Sequence, residues 1–248
     1  MSDGEVDLER RFGGIIRLYG EKKFRLIQNS HVCVVGIGGV GSWVVESLVR
    51  HGVGKITLID MDRMVESNIN RQIHALDSTD GESKIKAMKD RIIDINPTCL
   101  VDCIDDFLEE SNIESHISSR FDFIIDAIDQ SSVKTSLAEY CQSKNLSLIM
   151  VGGAGGRVDP ARIKIADLSK TFGDPLLSNI RKHFNKKNKL SKSKYKIPTI
   201  FSDEPIIKSD ACETDQSGGG LSCNGYGSSL NITATMAFYV VAYIFSKI

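Results

Sequence analysis

His31-Val32-Cys33-Val34-Val35-Gly36-Ile37-Gly38-Gly39-Val40-Gly41-Ser42 is a short apolar run that ends in a glycine-rich turn. An uninterrupted apolar run of this length predicts a strand buried on both faces of a parallel sheet. The G-x-G-x-x-G spacing of Gly36, Gly38 and Gly41 follows directly, and Trp43, Val44, Leu48 and Val49 then recur at helical spacing. Strand, glycine turn and helix in that order form a phosphate-binding unit. The glycines permit a tight turn and close backbone approach, and the helix N-terminus offers free N–H groups and its positive dipole.

The pattern repeats along the chain. Lys55–Asp60, Leu100–Ile104, Phe121–Asp126 and Leu146–Val151 read as further strands, and Arg162–Ala166 reads as another candidate. A helix is predicted from about Lys84 to Ile95, stopped by Asn96-Pro97. Alternation of this kind over 31–151 predicts an α/β fold: a doubly wound, Rossmann-like, mostly parallel sheet with a C-terminal extension and a basic insert. The expected organisation is an N-terminal helical segment over 1–30, with Ile15, Ile16, Leu18, Phe24 and Leu26 as its apolar positions. An ATP-binding adenylating domain follows over 31–170, then a basic insert with loops over 171–229. An apolar helix packed on the same domain occupies 230–248.

Composition limits the alternatives. The 248 residues carry 31 basic and 32 acidic side chains, and at 41% hydrophobic the chain has ordinary globular content, which excludes a disordered polar tail protein. A chain of this length buries enough surface to fold without disulfides. The six cysteines form no C-x-x-C pair, so no structural zinc is expected, and Cys33 and Cys141 read as buried reduced thiols. Met1–Asp7 is acidic and lacks an apolar run, so no signal peptide is read there. The apolar tail Leu230–Phe245 is shorter than the roughly 20 residues a membrane span needs. A reduced, cytoplasmic protein without a membrane segment is expected. The five histidines show no metal-ligand spacing, and His74 reads as a packed side chain near the nucleotide residues.

Asp60 closes the second strand 19 residues beyond Gly41, where an acid can hold both hydroxyls of a ribose. This unit serves NAD and ATP equally well. The residues beyond it favour ATP. Asn68, Asn70, Arg71 and Gln72 form a polar cluster and Lys84 opens the next helix. Arg71 and Lys84 are cations suited to a triphosphate whose charge migrates, and hydride transfer needs no such pair. Asp129, three residues beyond Asp126 at the end of a strand, is a hard oxygen ligand suited to Mg²⁺.

These strings together resemble the ubiquitin-activating-enzyme-like superfamily, which includes the sulfur-carrier adenylyltransferases. Its hallmarks are matched by Gly36–Ser42, Asp60, Asn68-Ile69-Asn70-Arg71-Gln72, Lys84 and Asp126–Asp129. Within it, Arg11–Gly20, Asn70–Leu76 and Gly152-Gly153-Ala154-Gly155-Gly156 are most similar to the tRNA threonylcarbamoyladenosine dehydratase family. The resemblance implies ATP-dependent dehydration of the threonylcarbamoyl group on the adenosine after the anticodon. The carboxylate is adenylated and then cyclises, with Mg²⁺ and ATP as cofactors and a homodimer as the working unit. It assigns Gly36, Gly38, Gly39, Gly41 and Ser42 to the phosphates and Asp60 to the ribose. Asn68, Asn70, Arg71, Gln72 and Lys84 complete the nucleotide site, Asp129 holds the metal, and Arg71, Lys84 and Asp129 carry catalysis. Related dimers insert an N-terminal arginine into the partner's site. The aligned position here is Gly14, which leaves Arg11 or Arg17 for that role. Sulfur-transfer proteins are among the partners the resemblance allows, as is a monovalent cation near Ser217–Gly227.

With a tRNA implied, the run Arg181, Lys182, Lys186, Lys187, Lys189, Lys192, Lys194 and Lys196 is expected to neutralise backbone phosphates, with Phe184 and Tyr195 stacking on unpaired bases. Cys223 is expected to be a packed loop thiol, because ring closure needs no external nucleophile. Three rivals stand beside this reading. The first is an adenylyltransferase for a ubiquitin-like sulfur carrier, disfavoured by the missing zinc cysteines. The second is an NAD-dependent oxidoreductase, which leaves Arg71, Lys84 and Asp129 unexplained. The third is a catalytically silent nucleotide-binding RNA adaptor.

Overall fold

A computed structural model describes residues 7–188, 195–207 and 226–248. The chain opens with α1 (Leu8–Tyr19) and α2 (Glu21–Asn29), broken at Gly20, whose φ of 82° suits a residue without Cβ. Next come β1 (His31–Val35), α3 (Gly41–Arg50), β2 (Lys55–Ile59), α4 (Lys84–Ile95), β3 (Leu100–Ile104), α5 (Ile113–His116), β4 (Phe123–Asp126), α6 (Ser131–Ser143) and β5 (Leu148–Val151). The last elements are β6 (Ile163–Asp167), α7 (Pro175–Asn188), β7 (Pro198–Ser202) and α8 (Leu230–Phe245). The seven strands form one sheet in the order β3-β2-β1-β4-β5-β7-β6. All neighbours run parallel except the antiparallel edge pair β6–β7.

Central β1 is buried at all five positions. Val32 and Val34 join the core cluster that includes α3 and α8, while Cys33 and Val35 join the cluster on the opposite face with α6 and α7. The strand alternation therefore feeds two apolar layers, one under each helical face. Burial pushes the Cys99 and Cys141 thiols up to about 12, and Cys33 higher still, so these are inert core groups. On the first face, buried Glu46 of α3 accepts from Arg50 at 2.6 Å and from Arg91 of α4 at 2.6 and 3.0 Å, tying the two helices together. Helix α8 contributes Ile232, Met236, Val240 and Ile244 to this core. Among the described residues no helix is long and apolar enough to cross a membrane.

Three expectations change. Leu18 and Leu26 are 72% and 47% exposed, and Phe12, Phe24 and Ile27 are the residues α1 and α2 bury. The break at Gly20 resets the helical phase between the two stripes. The basic stretch is not a plain insert, because α7 and β7 lie inside the span 171–229 and β7 completes the sheet beside β5. Phe184 and Tyr195 do not face solvent to stack on bases. They are 0% and 6% exposed, packed ring to ring at 5.1 Å in the second core. An aromatic interleaved with lysines at helical spacing is here the buried stripe of an amphipathic helix.

Candidate active site

The carboxyl ends of β1, β2 and β4 meet at one edge of the sheet, and the loops leaving them build the site. Gly36 turns the chain out of β1 with φ 87°, and a Cβ there would lie 3.0 Å from the Ala127 carbonyl. A Cβ on Gly41 would lie 1.8 Å from the Gly36 oxygen, so only glycine lets the loop fold back onto the first turn of α3. Gly38 instead faces open space, leaving its backbone approachable. Gly39 backs onto Arg71 and Thr233. Ser42 is fully buried and its hydroxyl has no partner among the described residues.

Asp60 is 9% exposed at the end of β2. Its Oδ2 accepts from the Ile37 N–H at 2.6 Å, inside the glycine loop, and its Oδ1 accepts from the Asp62 N–H at 2.8 Å. Burial raises its pKa, and the Lys84 cation is the largest influence in the other direction. Lys84, 6% exposed at the start of α4, donates to Asp62 Oδ2 at 2.6 Å. Each carboxylate oxygen of Asp60 keeps a lone pair after its backbone bond, which suits a diol.

The cluster between them is hydrogen-bonded into the fold. Asn68 is 7% exposed and its Oδ1 accepts from Val65 N–H at 3.3 Å. Arg71 Nη1 donates to Ser67 O at 2.6 Å and Asn70 Oδ1 at 2.9 Å, and burial lowers its pKa from the ordinary arginine value. Trp43 of α3 donates to the Arg71 carbonyl at 3.0 Å, and Asn70 Nδ2 donates to Ser228 O at 3.1 Å. Gln72 and His74 are 5% and 3% exposed, and Gln72 Oε1 and both His74 ring nitrogens have no partner among the described residues. Burial, then Lys84 and Arg91, push the His74 pKa down to about 4, so His74 is neutral near pH 7.

On the other side of β1, Asp126 closes β4 fully buried. Its Oδ1 accepts from Lys134 Nζ at 2.8 Å and from Ile128 N–H at 3.2 Å, while Lys134 Nζ also donates to the Asp126 carbonyl at 3.1 Å. This clamp shapes the turn that carries Asp129, which is exposed. Lys134 is not among the residues that the sequence motifs single out. Its signal is a lysine standing in the apolar stripe of α6 with Leu137, Ala138 and Cys141, a position where only a paired charge is tolerated. Among the described residues no three His, Cys, Asp or Glu gather to hold a metal. A cation at Asp129 would take its remaining ligands from phosphate oxygens and water, which is the habit of Mg²⁺.

A match to the ThiF family covers residues 12–202. The chain belongs to the ThiF family. It is 44% identical to tRNA threonylcarbamoyladenosine dehydratase of Haemophilus influenzae, over 97% of this chain and 94% of that protein. It is 42% identical to the Escherichia coli dehydratase, over 96% and 93%. The crystal structure of the E. coli enzyme in complex with ATP superposes with a TM-score of 0.88 at 40% identity, covering 98% of this chain and 95% of that one. Similarity to the E. coli molybdopterin-synthase adenylyltransferase is confined to 54% of this chain at 30% identity.

The remaining sequence-picked residues divide. Arg11 Nη1 donates to the Ile95 and Asp94 carbonyls at 2.6 and 3.3 Å, capping α4 of its own chain. Arg17 is exposed. Arg181 donates to Thr171 Oγ1 at 2.6 Å and is half-buried, whereas Lys182, Lys186 and Lys196 are exposed. The side chains of Lys187, Lys189, Lys192 and Lys194, and Cys212, Cys223 and Ser217–Gly225, lie outside the described residues.

Proposed function

We infer that the protein is an ATP-dependent tRNA threonylcarbamoyladenosine dehydratase. The observation that carries this is the near-full-length similarity, at 40–44% identity, to enzymes of that name, one of them seen with ATP. The site has the groups the chemistry needs. A carboxylate cannot expel oxide, so its oxygen attacks the α-phosphorus of ATP and pyrophosphate leaves. The acyl-adenylate is then attacked by a nucleophile within the same modification, AMP leaves, and the net loss is one water. No covalent enzyme intermediate is required. The protein positions two substrates and offsets negative charge.

The roles follow from position. Asp60 accepts the ribose hydroxyls, and the Gly36–Gly41 loop with Ser42 faces the phosphates. Asn68, Asn70, Arg71 and Gln72 border the triphosphate. Lys84 turns an N–H from Asp62 toward it, since an ammonium has three donors. Asp129 holds Mg²⁺, which when bound neutralises charge on the triphosphate. Lys182, Lys186 and Lys196, with the lysines between them, meet tRNA phosphates. The working unit is a homodimer in the cytoplasm, with Arg17 rather than Arg11 free to reach a partner's site. Exposed Leu18 on the same helix supports an apolar contact there.

The test is pyrophosphate release from purified protein and ATP with Mg²⁺. Release should require tRNA bearing the threonylcarbamoyl group. Release driven by a ubiquitin-like protein ending in glycine, and not by that tRNA, would favour the sulfur-carrier reading.

A further inference from the structure

Asp62 bonds to both charged groups of the nucleotide site. Its N–H donates to Asp60 Oδ1 at 2.8 Å, its carbonyl accepts from the Lys84 N–H at 3.1 Å, and its Oδ2 accepts from Lys84 Nζ at 2.6 Å. Asp60 in turn holds the Ile37 N–H of the glycine loop through Oδ2 at 2.6 Å. A continuous chain of bonds therefore runs from the phosphate loop through the ribose acid and Asp62 to the ammonium of Lys84.

The Asp62 carboxylate is not needed to build this corner. Backbone bonds alone strap the segment after β2 to the start of α4. Met64 N–H donates to Glu82 O at 2.9 Å, Gly81 N–H donates to Met64 O at 3.0 Å, and Arg63 and Ser83 pair antiparallel. The carboxylate is half-exposed, whereas the Lys84 side chain it reaches is buried. It also sets a second negative charge near buried Asp60, and that charge raises the Asp60 pKa where Lys84 lowers it. At a site for a triphosphate such a charge repels the ligand, so its place there calls for another reason. The reason lies in the lysine. An ammonium on a flexible four-carbon stem swings freely unless something fixes it. The bond to Asp62 fixes it and leaves two of its three donors for phosphate oxygens.

We propose that Asp62 is a positioning residue for adenylation: its carboxylate holds the Lys84 ammonium toward the triphosphate and does not itself touch ATP. This role rests on those proposed above for Asp60 and Lys84. Asp62 then opposes ATP binding, through its charge, and favours turnover, through Lys84. Its removal separates the two effects.

Pyrophosphate release and ATP affinity are measured with Mg²⁺ and threonylcarbamoylated tRNA for wild type, Asp62→Ala, Asp62→Asn, Lys84→Met and the double variant Asp62→Ala with Lys84→Met. Asp62→Ala should lose about 10–100-fold in kcat, the cost of a misplaced group, while binding ATP at least as tightly as wild type. Asp62→Asn, whose amide oxygen still accepts from the ammonium, should recover part of the rate. In the Lys84→Met background, Asp62→Ala should change kcat by no more than about twofold, because the group it positions is gone. Losses that multiply in the double variant would make Asp62 a structural residue and overturn the assignment. A raised KM for ATP with unchanged kcat would place Asp62 in contact with the nucleotide and also overturn it. Should Asp62→Ala not fold, Asp62→Ser takes its place in the cycle. A wild-type rate in Asp62→Ala beside a slow Lys84→Met overturns this assignment alone. A wild-type rate in Lys84→Met overturns the role of Lys84 as well. Wild type that releases no pyrophosphate with this tRNA overturns the dehydratase function and the assignment together.

Discussion

Asp129 and Lys84 illustrate two kinds of functional charge. Asp129 is exposed and shaped only by the turn beneath it, so Asp129→Asn should fold as the parent does. Its pyrophosphate release should fall by about 10-fold or more, because the amide is a weaker ligand for Mg²⁺. Unchanged release would make Asp129 a surface residue. Lys84 is 6% exposed and already paired with Asp62, so Lys84→Met should cost both activity, by about 100-fold, and stability, since Asp62 and buried Asp60 lose their cation. His74 supplies a pH prediction. Its pKa is about 4 when folded against 6.5 when unfolded. Stability from keeping it neutral is present above about pH 6.5 and is lost as pH falls toward 4, up to about 3 kcal/mol. Denaturant titrations of His74→Leu should show a shallower decline over that window than the parent. Parallel curves would mean that His74 takes up its proton without cost.

At the scale of elements, the buried clamp between β4 and α6 should behave as a unit. Lys134→Met leaves the Asp126 carboxylate uncompensated and should cost about 3–5 kcal/mol in chemical unfolding. Adding Asp126→Asn should recover most of it, and a lack of recovery would place the loss in packing instead. The parallel strands and glycine loop are legible in the chain because burial on both faces and the tight turn each demand a narrow set of residues. Lys134 is not, since its partner lies across a turn and a strand end. Helix α7 hides behind its lysines. Its apolar stripe of Leu177, Ile180 and Phe184 is visible only once the charges are assigned to the opposite face. Neutralising Lys186, Lys187 and Lys189 on and beyond that helix should weaken tRNA binding without altering ATP affinity. Each lost phosphate contact should flatten the salt dependence by about 0.7–0.9 in log–log slope. An unchanged slope would move the RNA contact elsewhere.

For the whole molecule, sheet order places the nucleotide loop, the Asp129 turn and the Gly152–Gly156 loop at the ends of three adjacent strands, β1, β4 and β5. This is where a doubly wound sheet opens for ligands. The ordering gathers the loops of the candidate nucleotide site along one edge of the sheet. The sequence pattern announces the first two loops through their glycines and acids. The third depends on Arg157 and Asp174, 17 residues apart, meeting as a buried ion pair, which no local spacing reveals. The measurement that tests the account most directly is mass analysis of the nucleoside after incubating the purified protein with ATP, Mg²⁺ and threonylcarbamoylated tRNA. The account predicts one water lost from the modified adenosine for each AMP formed. Nucleoside of unchanged mass, with or without AMP formation, would contradict it.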